Sequence, residues 1–183
     1  DLCNIKSGCT VLVMGGGPIG MIMMQLAKNA GAARVIMSEP VEEKRELALK
    51  LGATKTINPI EEDVQAVLAD YCENVDVVIE CVGTPVAAEQ AFFAADRGAT
   101  ILLFSVPKPE STYSLHLEEV FKKELTILGS MINPDTHGRA AALINSGVLK
   151  LEPIITHSFS VEQVEEAILM QQSADSIKVI VEP

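Results

Sequence analysis

The sequence predicts an α/β fold with a doubly wound, parallel six-stranded sheet, and three features carry that prediction. Short β-branched runs recur along the 183 residues, segments of helical periodicity separate them, and a glycine cluster stands at the first strand-to-helix junction. The runs are Val11–Met14, Val35–Met37, Lys55–Ile57, Val75–Ile79, Ile101–Phe104 and Leu125–Leu128. They read as continuous apolar stretches rather than alternating ones, the pattern of strands covered on both faces. Between the first two, Ile19, Ile22, Met23, Leu26, Ala27 and Ala30 are spaced along one face of a helix. Val64, Val67, Leu68 and Tyr71 repeat that spacing before the fourth run. Gly31, Gly52 and Gly98 fall where a helix should stop before the next strand, at positions that require positive φ. Crossovers of this kind are right-handed, so the sheet is expected to be parallel, with a ligand at the carboxyl ends where the strand order reverses.

Beyond about residue 130 the pattern changes. Asn133-Pro134-Asp135 reads as a turn leading into a helix, on which Ala140, Leu143, Ile144 and Gly147 share a face. Ile154-Ile155, a helix near Val161–Gln171 and a last strand near Lys178–Val181 complete the chain. The expected division is a sheet domain over 1–133 and a C-terminal α/β segment over 134–183.

Composition narrows the function by exclusion. With 14 Lys+Arg against 25 Asp+Glu, the formal net charge is -11. A field of that sign repels polyphosphate and anionic lipid, so neither a nucleic acid nor a membrane surface is an expected partner. Hydrophobic residues at 48% and charged residues at 21% suit a chain with a packed core. No membrane span and no targeting leader are read from the sequence. Aromatics make up 4% and Trp is absent, which removes a base-stacking platform. Cys3, Cys9, Cys72 and Cys81 include no CxxC pair and no histidine at metal spacing. Structural zinc and a disulfide framework are therefore not expected, and reduced thiols in a cytoplasmic protein are.

The first strand runs directly into Gly15-Gly16-Gly17-Pro18-Ile19-Gly20, a G-x-G-x-x-G between strand and helix. Gly15 permits a tight turn, Gly17 removes a Cβ that would block a pyrophosphate, and Gly20 lets the helix lie close to the strands. Pro18 suits a first helical turn, where its missing N–H has no helix partner to lose. The amides and positive dipole end of the helix then face the phosphates. Glu39 follows the second strand, 19 residues after Gly20. A carboxylate there accepts hydrogen bonds from the adenosine ribose hydroxyls and repels a 2′-phosphate, favouring NAD over NADP, while Lys44 and Arg45 soften that repulsion.

Taken with Leu51-Gly52-Ala53, Thr56-Ile57-Asn58-Pro59, Glu80-Cys81-Val82-Gly83 and Ile155-Thr156-His157, the glycine loop resembles the medium-chain dehydrogenase/reductase family, in its zinc-dependent alcohol and polyol branch. Ser38-Glu39-Pro40 is similar to L-threonine 3-dehydrogenases, and the rest suits sorbitol-type dehydrogenases equally well. The resemblance implies a Rossmann domain binding NAD. Gly17, Pro18 and Ile19 would touch the pyrophosphate, and Glu39 the ribose, with Lys44 or Arg45 beside it. Cys81, Val82 and Gly83 would border the adenosine half, although Cys81 reads equally well as a buried small hydrophobe. Ser105, Val106 and Pro107, with Ser130 and Met131, would approach the nicotinamide. The resemblance also implies an amino-terminal catalytic domain that supplies the zinc ligands. None is recognised here, because His116, His137 and His157 are scattered, so zinc is expected only in a longer enzyme and no catalytic residue is assigned.

Residues from about 134 onward would, by the same resemblance, return to that catalytic domain. An exposed apolar patch near Leu149–Ile155, Val164 and Ile168 is expected, and self-association with it; the sixth strand could also pair with a second copy. Two other functions compete with the dehydrogenase reading. An S-adenosylmethionine-dependent methyltransferase also carries a glycine loop and an acid after strand two, and it would have an antiparallel final strand. A non-catalytic dinucleotide-binding module is the other.

Overall fold

A computed structural model describes residues 1–131 and 135–183. The six expected strands are present as β1 (Thr10–Met14), β2 (Arg34–Ser38), β3 (Lys55–Ile57), β4 (Val77–Glu80), β5 (Thr100–Leu103) and β6 (Thr126–Gly129). They form one sheet in the order β3-β2-β1-β4-β5-β6, with every neighbouring pair parallel. Five helices lie between them: α1 (Pro18–Asn29), α2 (Glu42–Lys50), α3 (Val64–Tyr71), α4 (Pro85–Ala94) and α5 (Leu117–Lys123). This is the doubly wound Rossmann order, and its direction reverses between β1 and β4. Among the described residues the antiparallel final strand of the methyltransferase alternative is not formed, since β6 runs parallel to β5.

The apolar strands are unbroken because alternate residues serve two cores. Val11 and Val13 face one side with Met21, Met24, Val35 and Met37. Leu12 and Met14 face the other with Ile36, Ile57, Leu68 and Phe92. Strand β4 begins two residues later than expected. The Val75 amide donates to the Asp96 carboxylate at 2.8 Å instead of entering the ladder. Gly31 and Gly52 do adopt positive φ immediately after helix caps at Ala30 and Leu51. Gly98 also has φ 77 but is not at a C′ position: α4 ends at Ala94, and Gly98 turns the following loop.

Helix α1 is rotated from the expected face. Its buried residues are Gly20, Met21, Met24, Gln25 and Ala27, whereas Ile19 is 44% exposed and Ala30 is exposed. Gly20 sets the rotation. A Cβ there would lie 1.8 Å from the Gly15 carbonyl oxygen, so this bare position must point into the sheet and carries the stripe round with it.

In the C-terminal segment, α6 (His137–Asn145) and α7 (Val164–Gln172) accompany a parallel two-stranded sheet of β7 (Ile155–Ser160) and β8 (Lys178–Glu182). The expected turn at Asn133-Pro134 and the boundary at 133/134 lie outside the described residues. The periodicity over α6 is real, but the helix buries no residue. The segment is fastened to α1 at two levels. Ile154 and Ile177 enter the α1-side core. The Gln25 side chain, 5% exposed, accepts from the Lys150 amide at 2.8 Å and donates to the Lys150 carbonyl at 3.2 Å. The expected patch is therefore smaller at one end: Leu149 and Ile154 are buried, while Ile155, Val164 and Ile168 are exposed. Among the described residues no helix is long and apolar enough to cross a membrane.

Candidate functional site

The carboxyl ends of β1, β2 and β4 meet where the strand order reverses, and the loops leaving them enclose a cleft of about 490 Å³. From β1, the chain turns at Gly15 with φ 93, and the Gly15 amide donates to the Ser38 carbonyl at 2.8 Å. A side chain at Gly15 would meet Val82 at 3.0 Å, so the first crossover passes tightly over the loop after β4. Gly17 caps α1 in extended backbone geometry with no side-chain cap, and Pro18 opens the helix. The leading amides of α1 therefore have no intrahelical partner. A Cβ at Gly17 would meet no protein atom within 4 Å, because it would point into open space beside the loop. That bare, amide-lined turn has the shape a diphosphate needs.

Glu39 leaves β2 into the same cleft. Its side chain is 6% exposed, yet it lines the cleft floor. Oε2 accepts from the Gly16 amide at 2.6 Å and Oε1 from the Val41 amide at 2.9 Å. Each oxygen keeps a further lone pair, so the carboxylate is held in place and still able to accept. Gly16 makes this possible, since a Cβ there would lie 2.8 Å from Glu39 Cγ. Arg45 folds over the same corner and donates from Nη1 to the Glu39 carbonyl at 3.0 Å. Lys44 is half-buried, and its side chain has no hydrogen bond or ion pair among the described residues.

After β4, Cys81 and Val82 line the cleft. The Cys81 thiol is pushed up to about 12, first by burial, then by the Glu80 carboxylate and by Cys3, so it is a neutral packing group at physiological pH rather than a nucleophile. Gly83 turns with φ 86 against Ser105 and Val106. The wall opposite Glu39 comes from Val86, Ala87 and Gln90 of α4, and Pro59 and Ile60 close the side beyond β3.

The structure thus gathers Gly15, Glu39, Cys81 and Val82 around one cleft, with Gly16 to Gly20 forming the turn beside it. Ser105, Val106 and Pro107 follow β5, and Ser130 and Met131 follow β6. Neither group lines the cleft; Val106 and Met131 are almost fully exposed, at 95% and 94%. Three contributors have no role assigned from the sequence: the Gly16 and Val41 amides, and Glu80 at the end of β4. Three consecutive glycines were the available signal for the first, and a lone acid closing an apolar run for the last.

Among the described residues no group of three or more His, Cys, Asp or Glu side chains could hold a metal ion. His116 packs against Phe92 and Phe93, and His157 stacks on Phe159 with Nδ1 3.0 Å from the Thr156 hydroxyl. The donor set for a zinc ion is not present on these residues.

Residues 18–146 match the family model described as zinc-binding dehydrogenase. The chain belongs to that family. Its relatives include the L-threonine 3-dehydrogenase of Pyrococcus horikoshii, 37% identical over 179 residues covering 95% of this chain and 51% of the relative. The L-threonine 3-dehydrogenase of Caldanaerobacter subterraneus is 35% identical, covering 96% and 52%. Among solved structures, a candidate zinc-binding dehydrogenase from Sinorhizobium meliloti 1021, bound to NADP, superposes with a TM-score of 0.95 at 36% identity, over 100% of this chain and 55% of that one. A short chain alcohol dehydrogenase from E. coli CFT073, complexed with NADH, gives 0.90 at 26% identity, over 97% and 53%. The chain spans about half the length of the curated relatives it matches.

Proposed function

We propose that this chain is the NAD(H)-binding part of a zinc-dependent alcohol or polyol dehydrogenase. One observation carries the reading: the Glu39 carboxylate stands on the floor of the cleft at the first crossover, clamped by the Gly16 and Val41 amides with acceptor capacity left over. The bound dinucleotide supplies hydride transfer to or from the substrate carbon. This chain's residues bind and orient it. Gly17, Pro18 and Ile19 present helix amides to the diphosphate, and Glu39 takes the ribose hydroxyls. Cys81, Val82 and Gly83 border the adenosine. Ser105, Val106 and Pro107, with Ser130 and Met131, face the nicotinamide end. No step is assigned to zinc, because the described residues do not build its site.

A buried, fixed carboxylate repels a 2′-phosphate, which supports NAD over NADP. A second reading, NADP, draws on the 36% identical relative bound to NADP and on the Arg45 guanidinium lying over the Glu39 carbonyl. Titrating NADH and NADPH separately by calorimetry distinguishes the two. NADH is expected to bind at least about tenfold more tightly, and Glu39→Gln to narrow that gap. Tighter NADPH binding would establish the second reading, and no binding of either at millimolar ligand would end both. The reading extends to self-association: among the described residues β6 pairs with β5 on one side only, with Thr126, Ile127 and Gly129 exposed, and is positioned to add a strand from a second copy.

A further inference from the structure

Glu80 is the last residue of β4, paired in register with Met14 of β1 on one side and Leu103 of β5 on the other. It therefore sits at the point where the strand order reverses. It is 2% exposed, and no cation contacts it among the described residues. A carboxylate buried without a counter-charge is costly unless its lone pairs are filled by donors. Here they are. Oε1 accepts from the Val82 amide at 2.6 Å and the Gly83 amide at 2.8 Å, and Oε2 accepts from the Ser105 hydroxyl. The Glu80 main-chain carbonyl adds the amides of Phe104 at 2.9 Å and Ser105 at 3.2 Å. A single residue thus ties the loop after β4 to the loop after β5, and Gly83 lets them touch. A Cβ at Gly83 would come within 3.3 Å of Ser105 Cβ.

We infer that Glu80 is a positioning residue: its carboxylate fixes the Ser105–Pro107 loop against the Cys81–Gly83 loop and so sets the nicotinamide end of the site relative to the adenosine cleft. The inference rests on the dinucleotide reading above. Without this tether, Ser105–Pro107 is a surface loop with Val106 and Pro107 exposed and little packing to order it. Most of the adenosine cleft, by contrast, is walled by Glu39, Pro40, Pro59, Ile60 and α4, which make no hydrogen bond to the Glu80 side chain; of the residues lining it, Val82 alone donates to that carboxylate. Losing it therefore harms the two halves of the ligand unequally.

The test measures binding of NADH and of ADP, which has no nicotinamide half, to the full chain and to Glu80→Ala, Glu80→Gln and Ser105→Ala. Glu80→Ala is expected to weaken NADH by about tenfold while ADP stays within about twofold, as deletion of a charged hydrogen-bond network predicts. Glu80→Gln is expected to restore most of the difference. Its amide oxygen can accept from both backbone amides, and its NH2 can donate to the Ser105 hydroxyl. Ser105→Ala, which removes one hydroxyl, is expected to give a smaller loss confined to NADH, about threefold. If Glu80→Ala does not fold, Ser105→Ala decides between the outcomes. An equal loss for ADP and NADH, or no loss of either, would overturn the positioning role. So would Glu80→Gln as defective as Glu80→Ala, because charge rather than tethering would then be at work. Wild-type protein that binds neither ligand would instead overturn the dinucleotide reading itself.

Discussion

The two parts of the chain use the same alternation of strand and helix and differ in how it is covered. In residues 10–129 the inner strands β1, β2, β4 and β5 are largely sandwiched, the edges β3 and β6 are more open, and the sheet has a core on each face. In residues 137–182 the sheet has two strands, α6 buries nothing, and α7 buries only Ala167. Alternation gives the elements, but burial requires a second layer. The first part makes both of its layers from its own helices. The second borrows one from α1, through Ile154, Ile177 and Gln25, and leaves Val164, Ile168 and Leu169 open. A ligand cleft belongs in the first part, where rigid strand ends can hold loops in register.

The contrast breaks most sharply at Gly20. Gly20→Ala places a Cβ 1.8 Å from the Gly15 carbonyl oxygen, main chain against main chain with no flexible end to yield. The expected loss is at least about 3 kcal/mol of stability, with dinucleotide binding abolished in whatever protein folds. Chemical denaturation with NADH titration measures both. Near-wild-type values would mean the first crossover is looser than its geometry implies.

The attachment of the second part is tested at Ile154. It is 3% exposed and belongs to the α1-side core, so Ile154→Ala is expected to cost about 2–3 kcal/mol. Amide exchange should show the loss spreading through β7 and β8 and leaving β1, β2 and β4 protected. Gln25→Ala acts on the same junction with less force. It strands the Lys150 amide and carbonyl on a partly buried surface, with an expected cost of about 1–2 kcal/mol. If Ile154→Ala lowered protection in both parts alike, they would be one cooperative unit and the distinction between them would fail.

How much of this was legible in the sequence follows the same line. Strands were readable because Val11, Leu12, Val13 and Met14 must satisfy two cores at once, which forces unbroken apolar runs. Glu39 was readable because the chain length through α1 and β2 fixes where an acid can meet the glycine loop. The face of α1 was misread: Ile19, Ile22 and Met23 outrank Gly20 in hydrophobicity, but a close approach to Gly15 decides the rotation. Glu80 was hidden for a different reason. Its partners at Val82 and Gly83 are local, but Ser105 lies 25 residues away, and only the β4–β5 pairing brings it in. The fate of the α6 face was not written in its period, because periodicity records a stripe and not what covers it.

The smallest effect on stability is the most telling about the second part. Ile168 and Leu169 of α7 are 55% and 68% exposed, beside Val164 at 44%. A buried isoleucine changed to a charge would unfold a domain, yet here the side chain already lies mostly in water. Ile168→Lys in the 183-residue chain is therefore expected to change stability by no more than about 0.5 kcal/mol. The same change should lower binding of a hydrophobic dye and any concentration-dependent self-association, because it interrupts a contiguous apolar face. Thermal melts and analytical ultracentrifugation over a concentration series measure the two effects separately. A large drop in stability would mean α7 already has its second layer, and the contrast between the two parts of the chain would have to be withdrawn.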